Sequence, residues 1–326
     1  MLPRPNSAGH VVKPSAEMLK LAAQLLLQGE CIAFPTETVY GLGAVATDPQ
    51  AVAKVFALKN RPLFDPLIVH CASLSMVSSY TQWPANEVIA KLASQFWPGP
   101  LTILLPKKNI PDIVTAGLPE VAVRIPAHPV ALALLEKVNL PIAAPSANPF
   151  GKLSPTTAEH VLYYFGDKIK LILDGGKTEK GLESTIIRLY SNHIEILRPG
   201  PISPGMLESV SGLEVRLVSK AETLVPGMSK SHYAPSTSLT VVSKINPEDA
   251  RQTRAALFFK APDFEPAGFC AYRILSREGS LVEAAANLFS YLHELDLSGA
   301  QEILAEAVKE EGIGLAIMNR LRKAEH

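Results

Sequence analysis

The chain has 326 residues, 47% of them apolar and 19% charged, which is the composition of a globular protein with one or two domains. It carries 31 basic and 31 acidic residues, so a net charge of zero excludes an overall basic field that would hold a nucleic acid. Its three cysteines are far apart and form no CxxC pair, which argues against a disulfide framework and a structural zinc site.

The opening segment, residues 1–10, lacks an apolar signal core. No uninterrupted apolar run in the sequence approaches the length that spans a membrane. The scattered cysteines also fit a reducing compartment. We therefore expect a cytoplasmic protein without a membrane partner.

Helix-like and strand-like patterns alternate over residues 12–205, which we predict to form a first domain. Some predicted strands are separated by helices and others by hairpin-length loops, so we expect an α/β fold with a twisted, mixed sheet. The predicted helices are Ser15–Gln28, Pro49–Leu58, Asn86–Gln95, Pro129–Lys137 and Thr157–Phe165. The predicted strands are Cys31–Phe34, Leu67–His70, Leu101–Leu105, Val121–Ile125, Pro141–Ala144, Lys170–Leu173, Thr185–Leu189 and Ile194–Leu197.

The pattern changes after residue 205. Residues 206–238 are only weakly periodic, and we predict a linker that folds back as a lid. Residues 239–326 are predicted to form a second, smaller α/β domain, which has no GxGxxG loop to mark it as a nucleotide site. Its predicted strands lie near Leu239–Val242 and Ala255–Phe259, and its predicted helices are Leu281–Leu295 and Gly314–Ala324.

A first polar cluster follows the first predicted strand, in the stretch FPTETVYGLG over 34–43. Thr36, Glu37 and Thr38 would present two hydroxyls and a carboxylate at a strand end, beside a tight turn that Gly41 and Gly43 permit. A helix N-cap and turn explain the same residues equally well, because threonine is a common cap. The pattern leaves both interpretations open.

A second cluster runs from Lys59 to His70 and includes Arg61 and Asp65. Lys59 and Arg61 suit a polyphosphate, since arginine offers a bidentate fork and lysine a mobile point charge. The two cations equally suit the C-terminus of the preceding helix, which is the simpler interpretation of this cluster alone. His70 is either a ligand-facing imidazole or a core histidine.

Three further clusters also lie at strand ends. Ala144 and Ser146 belong to a stretch of small residues after a strand, where successive N–H groups form anion-binding nests. Ser154 precedes a helix, and it either caps that helix or binds a phosphate. Ser184 enters a strand and Arg198 closes another.

Each of these polar groups lies at the end of, or within, an apolar strand, where burial without a partner is costly. Arg61, Arg124 and Arg198 together would neutralise several negative charges. The sequence has no Walker loop, no HExxH and no GxSxG. The residues alone therefore predict an α/β protein that binds a phosphorylated, nucleotide-like ligand without a P-loop.

In this order, the clusters resemble the YrdC-type family of L-threonylcarbamoyladenylate synthases in its longer, two-domain form. The resemblance extends over essentially the whole chain, and so many stretches in register make it specific. The matching stretches are FPTETVYGLG (34–43), KNRPLFDPLIVH (59–70), WPGPLTILL (97–105), TAGL (115–118), VAVRIPAHP (121–129), PIAAPSAN (141–148), SPT (154–156), GLESTI (181–186), LRPGP (197–201) and SHYAP (231–235).

The resemblance implies a twisted α/β domain with a large, positively charged cavity, a Rossmann-like C-terminal domain and a linker that acts as a lid. It implies a nucleotidyltransferase that converts L-threonine, bicarbonate or CO₂, and ATP into L-threonylcarbamoyl-AMP and pyrophosphate. A downstream transferase would then make threonylcarbamoyladenosine next to the anticodon of tRNA. Mg²⁺ is the implied cofactor, held by the ATP phosphates and not by a metal site of the protein.

The resemblance also implies roles for individual residues. Lys59 and Arg61 would be catalytic by stabilising charge that develops on the phosphoryl oxygens. No residue stands out as an obligatory general base, so positioning would supply much of the acceleration. Threonine would be held by Thr38, His70, Arg124, the backbone at Ala144, and Ser184. ATP would be held by Lys59, Arg61, Asp65, Ser146, Ser154, Arg198 and Tyr233.

Two other functions are compatible with parts of the pattern. One is a double-stranded RNA-binding module without catalysis, although zero net charge counts against more than a weak RNA contact. The other is the carbamoyl-adenylate chemistry of hydrogenase maturation proteins. Those proteins carry cysteine-rich zinc segments, which three scattered cysteines cannot supply.

Overall fold

Two β-sheets organise the part of the chain that this computed structural model describes, residues 10–84, 86–218, 225 and 233–325. Among these residues the first sheet has eleven strands and the second has four. Within the same ranges no helix is both long and apolar enough to cross a membrane. We call the two parts the larger and the smaller domain, and together they confirm the predicted α/β class.

The larger domain alternates short strands with helices. Its helices are α1 (Ala16–Leu27), α2 (Pro49–Lys59), α3 (Leu74–Tyr80), α4 (Glu87–Phe96), α5 (Asp112–Thr115), α6 (Pro129–Val138), α7 (Ala158–Phe165) and α8 (Pro204–Ser211). Its strands are β1 (Val11–Val12), β2 (Ile32–Phe34), β3 (Gly41–Val45), β4 (Ile68–His70), β5 (Leu101–Pro106), β6 (Glu120–Arg124), β7 (Ile142–Ala143), β8 (Ile172–Leu173), β9 (Thr185–Leu189), β10 (His193–Arg198) and β11 (Glu214–Leu217).

The large sheet is mixed, as predicted. Its strand order is β1-β8-β2-β3-β7-β4-β6-β5-β9-β10-β11. The central pair β4 and β6 is parallel, and its register places His70 beside Arg124. Both β5 with β6 and β9 with β10 are antiparallel, while β5 and β9 are parallel.

Helices cover both faces of this sheet. On one face α1 and α6 pack through residues such as Leu26 and Leu134. On the other face α2, α4 and α7 pack in a second apolar cluster. Strand β2 contributes Phe34 to the first cluster and Ala33 to the second. A strand buried on both faces is a near-continuous apolar run, which is why the sequence predicts it well.

Helix starts follow ordinary capping chemistry. The Asp48 side chain accepts hydrogen bonds from the Gln50 and Ala51 N–H groups at the start of α2. Helix α7 is capped by Thr157, which accepts from the His160 N–H. Ser154 is therefore not the cap of α7, and that interpretation of Ser154 is wrong.

The stretch after β2 corrects two expectations about the first polar cluster. No helix follows Thr36, whose hydroxyl instead accepts from the N–H groups of Thr38 and Val39 within a turn. Gly41 and Gly43 lie inside β3 and not in a tight turn. A Cβ on Gly43 would stand 2.7 Å from both Ile142 and the Phe34 ring, so close packing and not backbone freedom requires this glycine.

The smaller domain has an all-parallel sheet with the order β12-β15-β13-β14. Helices α9 and α10 pack against it through residues such as Leu288 and Leu321. This arrangement agrees with the expected second, smaller α/β domain, although its strand order differs from the 3-2-1-4 order of a Rossmann fold. Its strands are β12 (Ser238–Val242), β13 (Arg254–Phe258), β14 (Ala271–Ile274) and β15 (Glu302–Glu306), and its helices are α9 (Leu281–Asp296) and α10 (Gly314–Ala324).

The two domains share one apolar cluster. Val39, Leu153 and Leu182 of the larger domain belong to the cluster that contains α9 and α10. Gly181 has a φ of +68°, and a Cβ there would stand 2.5 Å from the Ala285 carbonyl oxygen of α9. The backbone of the segment before β9 therefore packs directly against the backbone of α9.

The predicted linker, 206–238, begins inside α8 and includes β11. Strand β11 pairs in parallel with β10 and extends the large sheet. Residues 219–224 and 226–232 of the predicted lid lie outside the described residues. The domain bounds and the lid remain predictions.

Candidate functional site

Most residues of the predicted site line one cavity. Its free interior volume is about 40 Å³, and it lies next to β4, β6 and the segment that enters β9. Nine predicted residues line it: Thr38, Arg61, His70, Arg124, Ala144, Ser146, Ser184, Arg198 and Tyr233. Three others, Lys59, Asp65 and Ser154, are buried but do not line it.

Arg124 is the last residue of β6, and only 3% of its side chain is exposed. Its Nη1 donates to Thr38 Oγ1 at 2.9 Å, and its Nη2 lies 2.7 Å from Glu37 Oε2. The same Glu37 oxygen accepts from the Ala127 N–H at 3.1 Å. Glu37 thus compensates the buried guanidinium and fixes its orientation.

His70 lies beside Arg124 at the end of β4. Burial, reinforced by the positive charge of Arg124, lowers the pKa of His70 to about 3. The imidazole is therefore neutral near pH 7 and adds no charge to the cavity. Its ring packs edge-on against Phe34, with the ring centroids 6.2 Å apart.

Two buried nitrogens on these neighbouring residues have no hydrogen-bond partner among the described residues. They are Nε of Arg124 and Nδ1 of His70. Buried polar atoms are nearly always paired, so such a pair on a cavity wall indicates a polar ligand. An arginine with a free donor favours a carboxylate.

The segment entering β9 and the end of β10 are joined by hydrogen bonds. Arg198 donates from Nε to the Ser184 carbonyl oxygen at 3.1 Å and from Nη2 to Ser184 Oγ at 3.0 Å. The Ser184 hydroxyl also lies 2.7 Å from Thr102 Oγ1. A Cβ on Gly200 would stand 2.4 Å from the Thr185 nitrogen, so only glycine allows the chain after Arg198 to return so closely.

Arg61 follows the end of α2 and faces the cavity. Its Nη2 lies 2.9 Å from Asp65 Oδ1 and donates to the Pro66 carbonyl oxygen at 2.8 Å. Its Nε donates to the Asp65 carbonyl oxygen at 3.0 Å. Asp65 therefore orients Arg61 from behind.

Lys59 has a different environment from the one its predicted role needs. Its Nζ donates to the carbonyl oxygens of Ser146, at 2.6 Å, and of Asn148. Its own carbonyl oxygen accepts from the Phe150 N–H at 2.7 Å. Burial, with Arg61 acting in the same direction, lowers the pKa of Lys59 well below its usual value. In this structure Lys59 holds the turn over 146–150 in place.

Ser154 contacts the cavity wall through Glu183. The Ser154 hydroxyl donates to Glu183 Oε1, and Arg320 Nε donates to Glu183 Oε2 at 2.8 Å. Burial disfavours the charged carboxylate, yet the pKa of Glu183 is lowered because Arg320 and Arg198 lie beside it. Glu183 is therefore ionised, and it lines the cavity.

Tyr233 lies within the predicted lid, 206–238, directly after the undescribed residues 226–232. It has a φ of +67° and is only 1% exposed. Burial raises the pKa of its hydroxyl, so the side chain remains protonated. Its ring packs against Phe289 of α9 at a centroid distance of 5.6 Å.

Two residues of the site, Glu183 and Arg320, were missed by the sequence analysis, and Glu37 was noted in the first polar cluster without a role in the site. Glu37 and Glu183 lie within the matching stretches 34–43 and 181–186, and a carboxylate among apolar neighbours was the available sign. Arg320 lies in α10 close to two other cations, Arg322 and Lys323. Nothing in that pattern distinguishes a buried arginine from an exposed one.

Among the described residues there is no group of three or more His, Cys, Asp or Glu side chains that could hold an ion. Both Glu183 oxygens have protein partners, whereas Asp65 Oδ2 has none in the described ranges. An Mg²⁺ ion carried on ligand phosphates fits these residues, because Mg²⁺ commonly binds through phosphates and few carboxylates.

Two family models match the chain. The Sua5/YciO/YrdC family model, described as "Telomere recombination", matches residues 24–200. A second model, "Threonylcarbamoyl-AMP synthase, C-terminal domain", matches residues 202–325. Together they cover both domains.

Curated relatives carry the same name as the second model. The threonylcarbamoyl-AMP synthase of Pyrococcus abyssi is 42% identical over 319 residues, which are 94% of this chain and 93% of that protein. The threonylcarbamoyl-AMP synthase of Bacillus subtilis is 42% identical over 320 residues, 93% of this chain and 91% of that protein. The Marinobacter nauticus synthase is 38% identical over 180 residues, only 55% of this chain but 94% of that protein.

Solved structures agree with these relatives. The crystal structure of Pyrococcus abyssi Sua5 complexed with L-threonine has a TM-score of 0.85 and 39% identity, and the match covers 97% of this chain and 96% of that one. Escherichia coli YciO has a TM-score of 0.52 at 24% identity over 60% of this chain and 96% of its own, which shows a shared fold alone.

Proposed function

The chain belongs to the threonylcarbamoyl-AMP synthase family, and we propose a division of that enzyme's work among its residues. It is an enzyme that makes threonylcarbamoyl-AMP with L-threonine as a substrate. We propose ATP and bicarbonate, or CO₂, as the other substrates and pyrophosphate as the second product. The observation that carries the threonine part of this proposal is the pair of buried, unpartnered nitrogens of Arg124 and His70 on the cavity wall.

Threonine binding is proposed for the part of the cavity around β4 and β6. Arg124 supplies a carboxylate site whose orientation is set by Glu37 and Thr38. His70 is neutral and adds no charge there, so the attraction for a carboxylate comes from the Arg124 guanidinium. The remaining residues proposed for threonine are Ala144 and Ser184, which line the same cavity.

ATP binding is proposed for the part around Arg61, Ser146, Arg198 and Tyr233, which all line the cavity. Asp65 supports this part by orienting Arg61. Ser154 supports it through Glu183. Lys59 Nζ already donates to the carbonyl oxygens of Ser146 and Asn148, so a phosphate contact would use its remaining N–H or replace one of these bonds.

The proposed chemistry has two steps. The neutral amine of threonine forms a C–N bond with CO₂ and loses a proton, which gives a carbamate. A carbamate oxygen then bonds to the α-phosphorus of ATP while the bond to the pyrophosphate oxygen breaks. Arg61, Arg198 and Lys59 would stabilise the charge on the phosphoryl oxygens and on pyrophosphate, and Mg²⁺ bound to the phosphates would add to this stabilisation.

The cavity residues would act chiefly by positioning, since none of them is placed as a general base. A closed cavity also keeps water from the carbamate and from the mixed anhydride product. We further propose a cytoplasmic location and transfer of the product to a tRNA threonylcarbamoyl transferase. An RNA-binding module without catalysis is not favoured, because the Pyrococcus abyssi and Bacillus subtilis relatives are enzymes. A weak RNA contact stays a prediction.

The decisive experiment is product formation by the purified full-length protein. ATP, Mg²⁺, L-threonine and bicarbonate are mixed with it, and mass spectrometry and a pyrophosphate assay follow the reaction. We expect threonylcarbamoyl-AMP and pyrophosphate to appear together, and neither to appear when threonine or bicarbonate is omitted. Binding of ATP and threonine without any product would contradict the proposal.

A further inference from the structure

One side chain of the smaller domain contacts three segments around the cavity. Arg320 of α10 has a side chain that is 0% exposed. Its Nε donates to Glu183 Oε2 at 2.8 Å, and its Nη1 donates to the Pro199 carbonyl oxygen at 2.9 Å. The guanidinium carbon also lies 5.0 Å from the centre of the Tyr233 ring, which is a cation–π distance.

These contacts all fall on the proposed ATP part of the cavity. Glu183 and Tyr233 line the cavity, and Pro199 directly follows Arg198. Glu183 also accepts the hydrogen bond from Ser154. The contacts of Arg124, in contrast, are with Glu37 and Thr38.

The charge of Arg320 matters because its partner Glu183 faces the cavity in which the triphosphate is proposed to bind. An ionised carboxylate on the wall of a triphosphate site would repel the ligand, since the two charges have the same sign. Arg320 compensates that carboxylate and holds it toward the domain contact through a charge-assisted hydrogen bond. Removing the arginine from such a buried pair leaves the carboxylate without a compensating charge, next to the ligand phosphates.

We propose that Arg320 is a positioning residue for ATP, so that the smaller domain completes the nucleotide half of the active site. It acts through Glu183 and Tyr233 and does not contact the reacting atoms. This inference rests on the proposed function for the identity of the ligand. It gives the smaller domain a role in catalysis beyond that of a folded appendage.

The test measures two affinities in full-length variants by calorimetry, for ATP with Mg²⁺ and for L-threonine. Arg320→Met should raise the Kd for ATP on the order of tenfold or more, because a buried charge pair is broken. The Kd for threonine should change by less than about twofold, because Arg320 does not contact that half. Arg322→Met is the matched control: Arg322 is on the same helix, is 55% exposed and pairs with Glu310, and both affinities should remain unchanged.

Two further variants extend the test, and the first of them keeps the inference testable if Arg320→Met does not fold. Arg320→Lys retains the charge without the planar fork, and we expect an intermediate loss of ATP affinity. The double variant Arg320→Met, Glu183→Gln should recover part of the ATP affinity, because the uncompensated carboxylate is gone. Packing alone would give no such recovery.

Equal losses for ATP and threonine, or an unchanged Kd for ATP in a folded variant, would overturn the inference. The proposed function fails in a different way. Wild-type protein that binds both ligands but forms no threonylcarbamoyl-AMP would contradict that function, and the comparison of the two Kd values would still hold.

Discussion

Side chains alternate between the two faces of a strand, so Arg124 of β6 is expected on the face of the sheet opposite to that of Val121 and Val123. These two valines pack in the core cluster under α2 and α4. Ala122 packs on the other side of the sheet, and Arg124 lines the cavity there. The period-two geometry of a strand was sufficient to predict this orientation.

We expect Arg124→Lys to raise the Kd for threonine by about tenfold, because lysine cannot contact Glu37 and Thr38 and still present a fork to a carboxylate. The charge is retained, so the buried carboxylate of Glu37 keeps a partner and the fold should survive. Calorimetry with L-threonine and with ATP measures both halves of the site.

Arg188→Lys is the control for this change. Arg188 is in the nearby strand β9, pairs with Glu120 and does not line the cavity. It should leave both affinities within about twofold of the wild type. If Arg124→Lys weakened ATP and threonine equally, the proposed division of the cavity would be wrong.

The sequence identified cavity residues correctly where a polar side chain lies at the end of an apolar strand. The contacts of Lys59 and Ser154 were not, because their partners lie far away in the sequence. Lys59 donates to a carbonyl 87 residues away, and Ser154 donates to a carboxylate 29 residues away. Arg320 and Glu183 are 137 residues apart in the sequence, so no local sequence pattern could predict their contact.

At the scale of elements, β3 shows why a glycine-rich stretch was misinterpreted. The sequence GLGAV has few of the branched residues that favour strands. The strand nevertheless forms, since it pairs with β2 on one side and β7 on the other. Tertiary pairing overrides local preference here.

Strand β15 shows the same effect in the smaller domain. Its sequence, EILAE, contains glutamate and alanine, which are depleted in strands. It lies between β12 and β13 in the middle of the sheet, with Ile303 and Ala305 completely buried. Burial by neighbouring strands, and not the pattern of the segment, decides its structure.

We expect Gly43→Ala in β3 to lower the free energy of unfolding by about 1–3 kcal/mol, the usual cost of overpacking. The new methyl group would stand 2.7 Å from Ile142 and from the Phe34 ring, so both must shift. Chemical denaturation followed by circular dichroism measures the change.

Gly205→Ala in α8 is the matched control, because a Cβ there meets no atom within 4 Å. In a helix this change should be neutral or stabilising by about 0.4–1 kcal/mol. Equal destabilisation of both variants would show that steric contact is not what requires glycine at position 43.

At the scale of the whole molecule, a pair of histidines joins the two domains. His160 of α7 and His293 of α9 stack with ring centroids 3.9 Å apart. Burial lowers the pKa of His293 to about 4, and burial together with His293 lowers the pKa of His160 to about 2. Both rings are therefore neutral near pH 7. Their ordinary pKa is 6.5, so the unfolded chain binds protons first as the pH falls.

We expect the melting temperature to fall as the pH is lowered from about 7 to about 5, since stability is lost wherever the unfolded state binds more protons. Each buried neutral histidine contributes about 1.4 kcal/mol per pH unit below its unfolded pKa. His293→Gln should make the decline shallower, because one such group is removed. Differential scanning calorimetry at several pH values measures the slope.

The buried His70 contributes to the acid sensitivity in the same way, and an identical slope in His293→Gln would contradict a contribution from the stacked pair.

Val39, Leu153 and Leu182 are buried because the smaller domain covers them. This burial also has a consequence for the sequences of homologous proteins. A homologous chain without a second domain would expose these three positions to water, where large apolar side chains have no selective advantage. Polar residues at the three positions should therefore accompany the loss of the second domain, and apolar residues should accompany its presence. The residue types at these three positions would then correlate with chain length among homologues of this enzyme.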